Sequence, residues 1–199
     1  MGHTSLTTAL AALDRGGVVA FPTETVFGLG GRLDRPRAIA RIFELKGRRP
    51  DQPLQVLLRA PDAIGTVAEL VNGAAALADA FMPGPITIVL LALDPLPELG
   101  GDGITIGVRV PAHPVAAELI AGAGPLAATS ANRSGRSTPD DVDGVRAVFG
   151  DAVDVYLAGD APGGTASTVV SLVGEPRLLR EGAIGRARIE AVLGRRCAT

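Results

Sequence analysis

Short apolar runs, each closed by proline, glycine or a polar cluster, alternate along this chain with stretches of helical periodicity. That alternation calls for an α/β architecture. Strands are expected at Val18–Phe21, stopped by Pro22, at Leu54–Leu58, Ile86–Leu93 and Ile104–Val110, then at 125–129, Thr168–Leu172 and Arg177–Arg180. Between them, Leu6, Ala9, Leu10 and Leu13 recur at i, i+3, i+4 and i+7, so 5–14 reads as an amphipathic helix ended by Gly16-Gly17. A second helix starts at Asp34 as cap with Pro36 in its first turn, buries Ile39, Ile42 and Phe43, and ends at Gly47. Further helices are expected over 61–82 in two pieces, over 114–121, after Thr138-Pro139-Asp140-Asp141 with Thr138 as hydroxyl cap, and over about 187–194. Ile86–Leu93 and Ile104–Val110 follow one another with only a loop between, which predicts a mixed rather than a parallel sheet.

Composition narrows the function. The length of 199 residues suits one domain, read here as 1–199, and 47% hydrophobic residues argue against disorder. The longest strongly apolar run, Ile86–Leu93, is far too short to span a bilayer, and Met1–Thr4 lacks the basic start of a signal peptide, so a soluble cytoplasmic protein without membrane contact is expected. Cys197 is the only cysteine, which excludes an internal disulfide and a Cys-rich metal site. The only histidines are His3, at the terminus, and His113, at a helix start where it would cap, so a His-based triad or a zinc site is not expected. A net charge of −2 argues against bulk nucleic-acid binding but leaves room for a local basic pocket. Of 19 basic residues, all but Lys46 are arginine. That lysine is either a chance surface survivor or a group whose task a guanidinium cannot perform.

Several segments could carry chemistry. Phe21–Gly31 runs a strand into two threonines and a set of glycines, which can offer hydroxyls and bare backbone N–H groups to a ligand. Its glycine spacing is not a dinucleotide fingerprint, and no P-loop exists, so a nucleotide would be bound by another device. Lys46 continues the apolar face of its helix, so its ammonium points inward and calls for an anionic partner or ligand, or for the helix's own terminal carbonyls. Arg48 and Arg49 add two cations suited to a polyphosphate. Ala128–Gly135 crowds hydroxyls and Asn132 at a strand end, a typical ligand position in α/β sheets. Ser167-Thr168 and Arg180 are polar ends of strands. With neither histidine nor cysteine in play, catalysis would rest on cations, hydroxyls and positioning, as in nucleotidyl transfer with a metal.

Taken in order, PTETVFGLG at 22–30, KGR at 46–48 with PL at 53–54, PGPIT at 83–87, GVRVP at 107–111, SANRSG at 130–135, STVV at 167–170 and LLREGAI at 178–184 resemble the YrdC family of threonylcarbamoyl-AMP synthases. The resemblance implies a twisted mixed sheet with flanking helices around one large concave basic cavity. It implies that L-threonine, bicarbonate and ATP yield threonylcarbamoyl-AMP and pyrophosphate, with Mg2+ accompanying ATP. The product would pass to the tRNA threonylcarbamoyl transferase complex, for the modification of adenosine beside the anticodon. By position, the resemblance assigns Thr25, Arg109 and Ser167 to threonine. It assigns Arg48, Gln52, Ser130, Asn132, Thr138 and Arg180 to ATP, and Lys46 and Arg48 to catalysis. Leu57 stands where relatives often carry a histidine, and Ser171 where they carry an aspartate. Two alternatives belong beside the synthase: a YrdC-like RNA-binding protein without synthase activity, and a relative that adenylates another carbamate.

Overall fold

The computed structural model describes residues 5–162 and 164–198, so His3 lies outside the described residues. The helices are α1 (Leu6–Asp14), α2 (Pro36–Lys46), α3 (Ala74–Phe81), α4 (Pro114–Ala123), α5 (Val142–Phe149) and α6 (Arg186–Leu193). The strands are β1 (Val19–Phe21), β2 (Gly28–Arg32), β3 (Gln55–Leu57), β4 (Ile86–Leu91), β5 (Thr105–Arg109), β6 (Leu126–Ser130), β7 (Val155–Tyr156), β8 (Thr168–Ser171) and β9 (Arg177–Arg180). They form one sheet in the order β7-β1-β2-β6-β3-β5-β4-β8-β9. β1–β7, β3–β5 and β4–β8 are parallel, and the other neighbours are antiparallel, so the sheet is mixed as expected. Of the 61–82 stretch, only α3 is α-helical; Pro61–Thr66 winds as a 3-10 helix.

Strand alternation sorts the side chains onto two faces. Val18, Ala20, Leu54, Val56, Ile86, Ile88, Leu90, Ile106 and Val108 point to the main core, where Ile39 and Ile42 of α2, Leu77 of α3, Val145 of α5 and Ile189 of α6 cover them. On the opposite face, Val19, Phe21, Leu57, Leu126 and Ala128 meet α1 and α4 through Leu13, Leu119 and Ile120. This second cover serves only part of the sheet. The alternate residues of β4 and β5 (Thr87, Val89, Thr105, Gly107 and Arg109) instead line an open cavity.

Three local expectations fail for physical reasons. The glycines of Phe21–Gly31 do not form a ligand-presenting loop. Gly28–Arg32 is β2, whose backbone pairs with β1 and β6. Gly28 and Gly30 are there because the Phe21 ring lies across them, a Cβ at Gly30 standing 2.9 Å from the ring, and Gly31 because α2 packs on it, a Cβ there standing 2.8 Å from Ala38 Cβ. Asp34 does not cap α2. Its carboxylate takes both Nε and Nη2 of Arg32 at 2.9 Å, and Arg35 occupies the cap position without a side-chain bond. Nor does Thr138 cap α5: Asp141 accepts from Gly144 N there at 2.6 Å. His113 does cap, accepting from Val115 N at α4. The two-residue strand β7 escaped the sequence reading because it is too short to show a period.

Candidate functional site

The turn between β1 and β2 is built on Thr23. Its hydroxyl donates to Val26 O at 2.6 Å and accepts from the backbone N–H groups of Thr25 and Val26. Since its proton is used on Val26, the 2.9 Å contact between Thr23 and Thr25 requires Thr25 to donate. Arg109, at the end of β5 and 4% exposed, donates through Nη2 to Glu24 Oε1 at 2.7 Å and to Thr25 Oγ1 at 2.9 Å. Glu24 is fixed in turn by Ala112 N on its other oxygen. Among the described residues, Arg109 Nε is the one buried side-chain polar atom without a partner. An orphaned donor on a buried guanidinium beside a cavity points to an anionic ligand atom.

Lys46 ends α2 and is 2% exposed. Its Nζ donates to Ser130 O at 2.6 Å, Asn132 O at 2.7 Å and Asn132 Oδ1 at 3.3 Å. Its partners are therefore neutral oxygens of the loop after β6, neither an anion nor the carbonyls of its own helix. Burial, and secondly the Arg48 charge, lowers its pKa from 10.5 to about 7. Asn132 is the hub of that loop. Its Oδ1 also accepts from the hydroxyls of Ser130 and Thr138, and its Nδ2 donates to Arg133 O and Arg136 O. Lys46 and Asn132 thus shape the segment that presents Ser130, Arg136 and Thr138 to the cavity.

The cavity has a volume of about 870 Å³. Of the residues assigned from sequence, Thr25, Arg48, Arg109, Ser130, Asn132, Thr138, Ser167 and Arg180 line it together. Lys46 stands behind the wall, and Gln52 stands apart. Gln52 is exposed on the turn after Arg49, and it meets the site only through its carbonyl, which accepts from Arg48 Nε at 2.7 Å. Sequence reasoning missed Gln55, Thr87, Arg136 and Asp140 on the lining. Strand alternation could have found Gln55 and Thr87, since each is a polar residue between apolar strand neighbours; nothing comparable marked Arg136 or Asp140.

The lining carries Arg48, Arg109, Arg136 and Arg180 against the single carboxylate of Asp140. Burial, then the Arg180 charge, lowers the pKa of Arg48; burial, then Arg109, lowers that of Arg180. Cations that disfavour one another in a partly desolvated site are relieved by a bound polyanion. A small recess of about 20 Å³ opens beside Arg109, lined by Phe21, Thr25, Gln55, Leu57 and Thr129. Arg109, Thr25 and Gln55 line both the recess and the large cavity.

The cavity on the open part of one sheet face, lined by four arginines against one carboxylate, has the charge of an anion-binding site. The chain belongs to the Sua5/YciO/YrdC family, whose model, described as "Telomere recombination", matches residues 11–182. A Mycobacterium leprae relative is 41% identical over 193 residues, 95% of this chain and 88% of its own length. The threonylcarbamoyl-AMP synthase of Bacillus subtilis is 39% identical over 197 residues, covering 94% of this chain and 56% of that protein. The crystal structure of Pyrococcus abyssi Sua5 complexed with L-threonine superposes with a TM-score of 0.89 at 35% identity, over 98% of this chain and 58% of that one. The chain thus spans a little over half the length of the latter two. No helix among the described residues is long and apolar enough to cross a membrane.

Proposed function

We propose that this chain is an L-threonylcarbamoyladenylate synthase: it converts L-threonine, bicarbonate and ATP to threonylcarbamoyl-AMP and pyrophosphate, for threonylcarbamoylation of tRNA. The carrying observation is the unpartnered Nε of Arg109, a residue that lines both the small recess and the arginine-lined cavity. In this reading Arg109 takes the threonine carboxylate, with the lone pairs of Thr25 and Ser167 toward the amine. Arg48, Arg180, Ser130 and Thr138 take the nucleotide, whose phosphates bring the charge that the guanidinium groups lack. The threonine amine condenses with bicarbonate and releases water, an oxygen of the resulting carbamate attacks the α-phosphorus as the bond to pyrophosphate breaks, and the fixed cations stabilise the charge that develops there and on the leaving group. Lys46 and Asn132 act through the loop they hold, and Gln52 through Arg48.

Mg2+ has no resident site in this reading. Among the described residues no group of three His, Cys, Asp or Glu could hold a metal ion, and the cavity wall offers only Asp140. Any Mg2+ would arrive on the phosphates, and no step is assigned to it. The test incubates the purified chain with ATP, bicarbonate and each amino acid in turn, and follows pyrophosphate. Release dependent on both threonine and bicarbonate is expected. Release with carbamoyl phosphate in place of both, or none at all together with tight RNA binding, would replace this reading by one of its two alternatives.

A further inference from the structure

One hydrogen-bonded chain crosses the cavity floor from β9 to β3. Arg180 Nη2 donates to Ser167 Oγ at 3.1 Å, and Arg180 Nε donates to Ser167 O at 3.0 Å. Ser167 Oγ lies 3.1 Å from Thr87 Oγ1, which donates to Gln55 Oε1 at 2.9 Å. The ends fix the direction. A guanidinium only donates, and a carboxamide oxygen only accepts. Thr87 spends its one proton on Gln55, so Ser167 must donate to Thr87. This orientation uses both hydroxyl protons inside the chain.

The last link spans a strand. Gln55 on β3 faces Gly107 on β5, and Thr87 lies on β4 beyond it. A Cβ at Gly107 would stand 2.9 Å from Thr87 Cγ2 and 3.8 Å from Gln55 Cβ. The missing side chain in the middle strand is what lets its two neighbours meet above it.

The chain sets what each group can offer a ligand. Thr25 and Ser167 have committed their protons and present lone pairs only. Gln55, turned by Thr87, is left with the two N–H donors of its Nε2, for which the described residues provide no partner. It lines both the recess and the large cavity. Arg109 meets the charged end of an amino acid, and the neutral donor beside it suits an uncharged oxygen.

Resting on the synthase reading, we propose that Gln55 is a specificity-determining residue that donates from Nε2 to the side-chain hydroxyl of threonine, and that Thr87 is the positioning residue that holds it. Valine leaves the Gln55 donor unused.

The experiment measures dissociation constants of threonine and valine, with a non-hydrolysable ATP analogue present, for wild type, Gln55→Leu, Thr87→Val and Thr87→Ser. Gln55→Leu is expected to weaken threonine about tenfold and to narrow its preference over valine by the same factor, valine binding no worse than before. Thr87→Val should narrow the preference in the same direction, and Thr87→Ser, which keeps the hydroxyl, should restore it. A merely structural role would weaken both amino acids alike. An unchanged threonine-to-valine ratio in folded Gln55→Leu and Thr87→Val overturns the assignment while leaving the synthase reading intact. A wild type that binds no threonine overturns the synthase reading, and Gln55's role with it.

Discussion

Lys46 is the only lysine of the chain, and helical periodicity alone turned it inward. Its partners could not be read the same way, because they come from a loop more than eighty residues further on. Three donors meet three oxygens of Ser130 and Asn132, so the ammonium holds the loop after β6 and is not on the cavity lining. Lys46→Met is expected to cut pyrophosphate release about 100-fold with the fold retained, a displacement of about 1 Å in a positioned group being enough. Lys46→Arg should be impaired as well, since a planar fork does not replace a compact ammonium among three acceptors. Full activity in either folded variant removes Lys46 from the site. Protonation gives a second readout. The folded pKa of about 7 lies below the ordinary 10.5, so burying the charge costs stability at low pH. Between those values the unfolded chain binds more protons than the folded one, and stability rises with pH. Urea denaturation should therefore find wild type gaining on Lys46→Met from pH 7 to pH 10; a constant difference contradicts the lowered value. Arg180 joins the two halves of the site, since it lines the cavity yet bonds Ser167 through two nitrogens. Arg180→Ala should raise the KM values of both ATP and threonine; a rise confined to ATP would sever the link to Ser167.

At the scale of elements, periodicity located the strands whose two faces differ in chemistry. β4 and β5 announce themselves because Ile86, Ile88, Ile106 and Val108 must all reach one core. β2 did not, because four of its five positions are glycine or leucine and the pattern has no polar face. What makes it a strand is tertiary: the Phe21 ring needs the bare surface that Gly28 and Gly30 supply. Gly30→Ala should therefore destabilise the protein by about 1–3 kcal/mol, from overpacking. A shift of the urea midpoint near zero would show that the ring moves aside freely. The misassigned caps have the same origin. Asp34 and Thr138 are both good capping residues, but Arg32 claims the first and Asn132 the second. Neighbours two and six residues away outcompete the helix for these side chains. The site was legible to the same degree. Seven of the eight assigned residues that converge sit at a strand end or in a loop beside one and Arg48 lies just past the end of α2, whereas Gln52 faces solvent since the turn after Arg49 carries it away. The cavity-floor chain through Gln55 and Thr87 was beyond the sequence because it depends on which strands flank β5.

For the molecule as a whole, the decisive feature is unequal cover. α1 and α4 close one end of the second sheet face, and among the described residues no helix closes the rest. The alternate residues of β4 and β5 are left to line a cavity in which four arginines oppose one carboxylate. That distribution coexists with a net charge of −2 because the acidic residues lie mostly elsewhere. Salt should weaken binding at the exposed Arg136 and Arg180 more than at Arg109, which is buried. The central claim is that this cavity brings an amino acid and a nucleotide together for adenylation. The most direct measurement is mass-spectrometric detection of the product after incubating the purified chain with ATP, bicarbonate and threonine. Threonylcarbamoyl-AMP equimolar with pyrophosphate, absent without bicarbonate and absent with Arg109→Ala, is the expected result. Pyrophosphate formed without threonine, or no adenylate at all from folded wild-type protein, would contradict it.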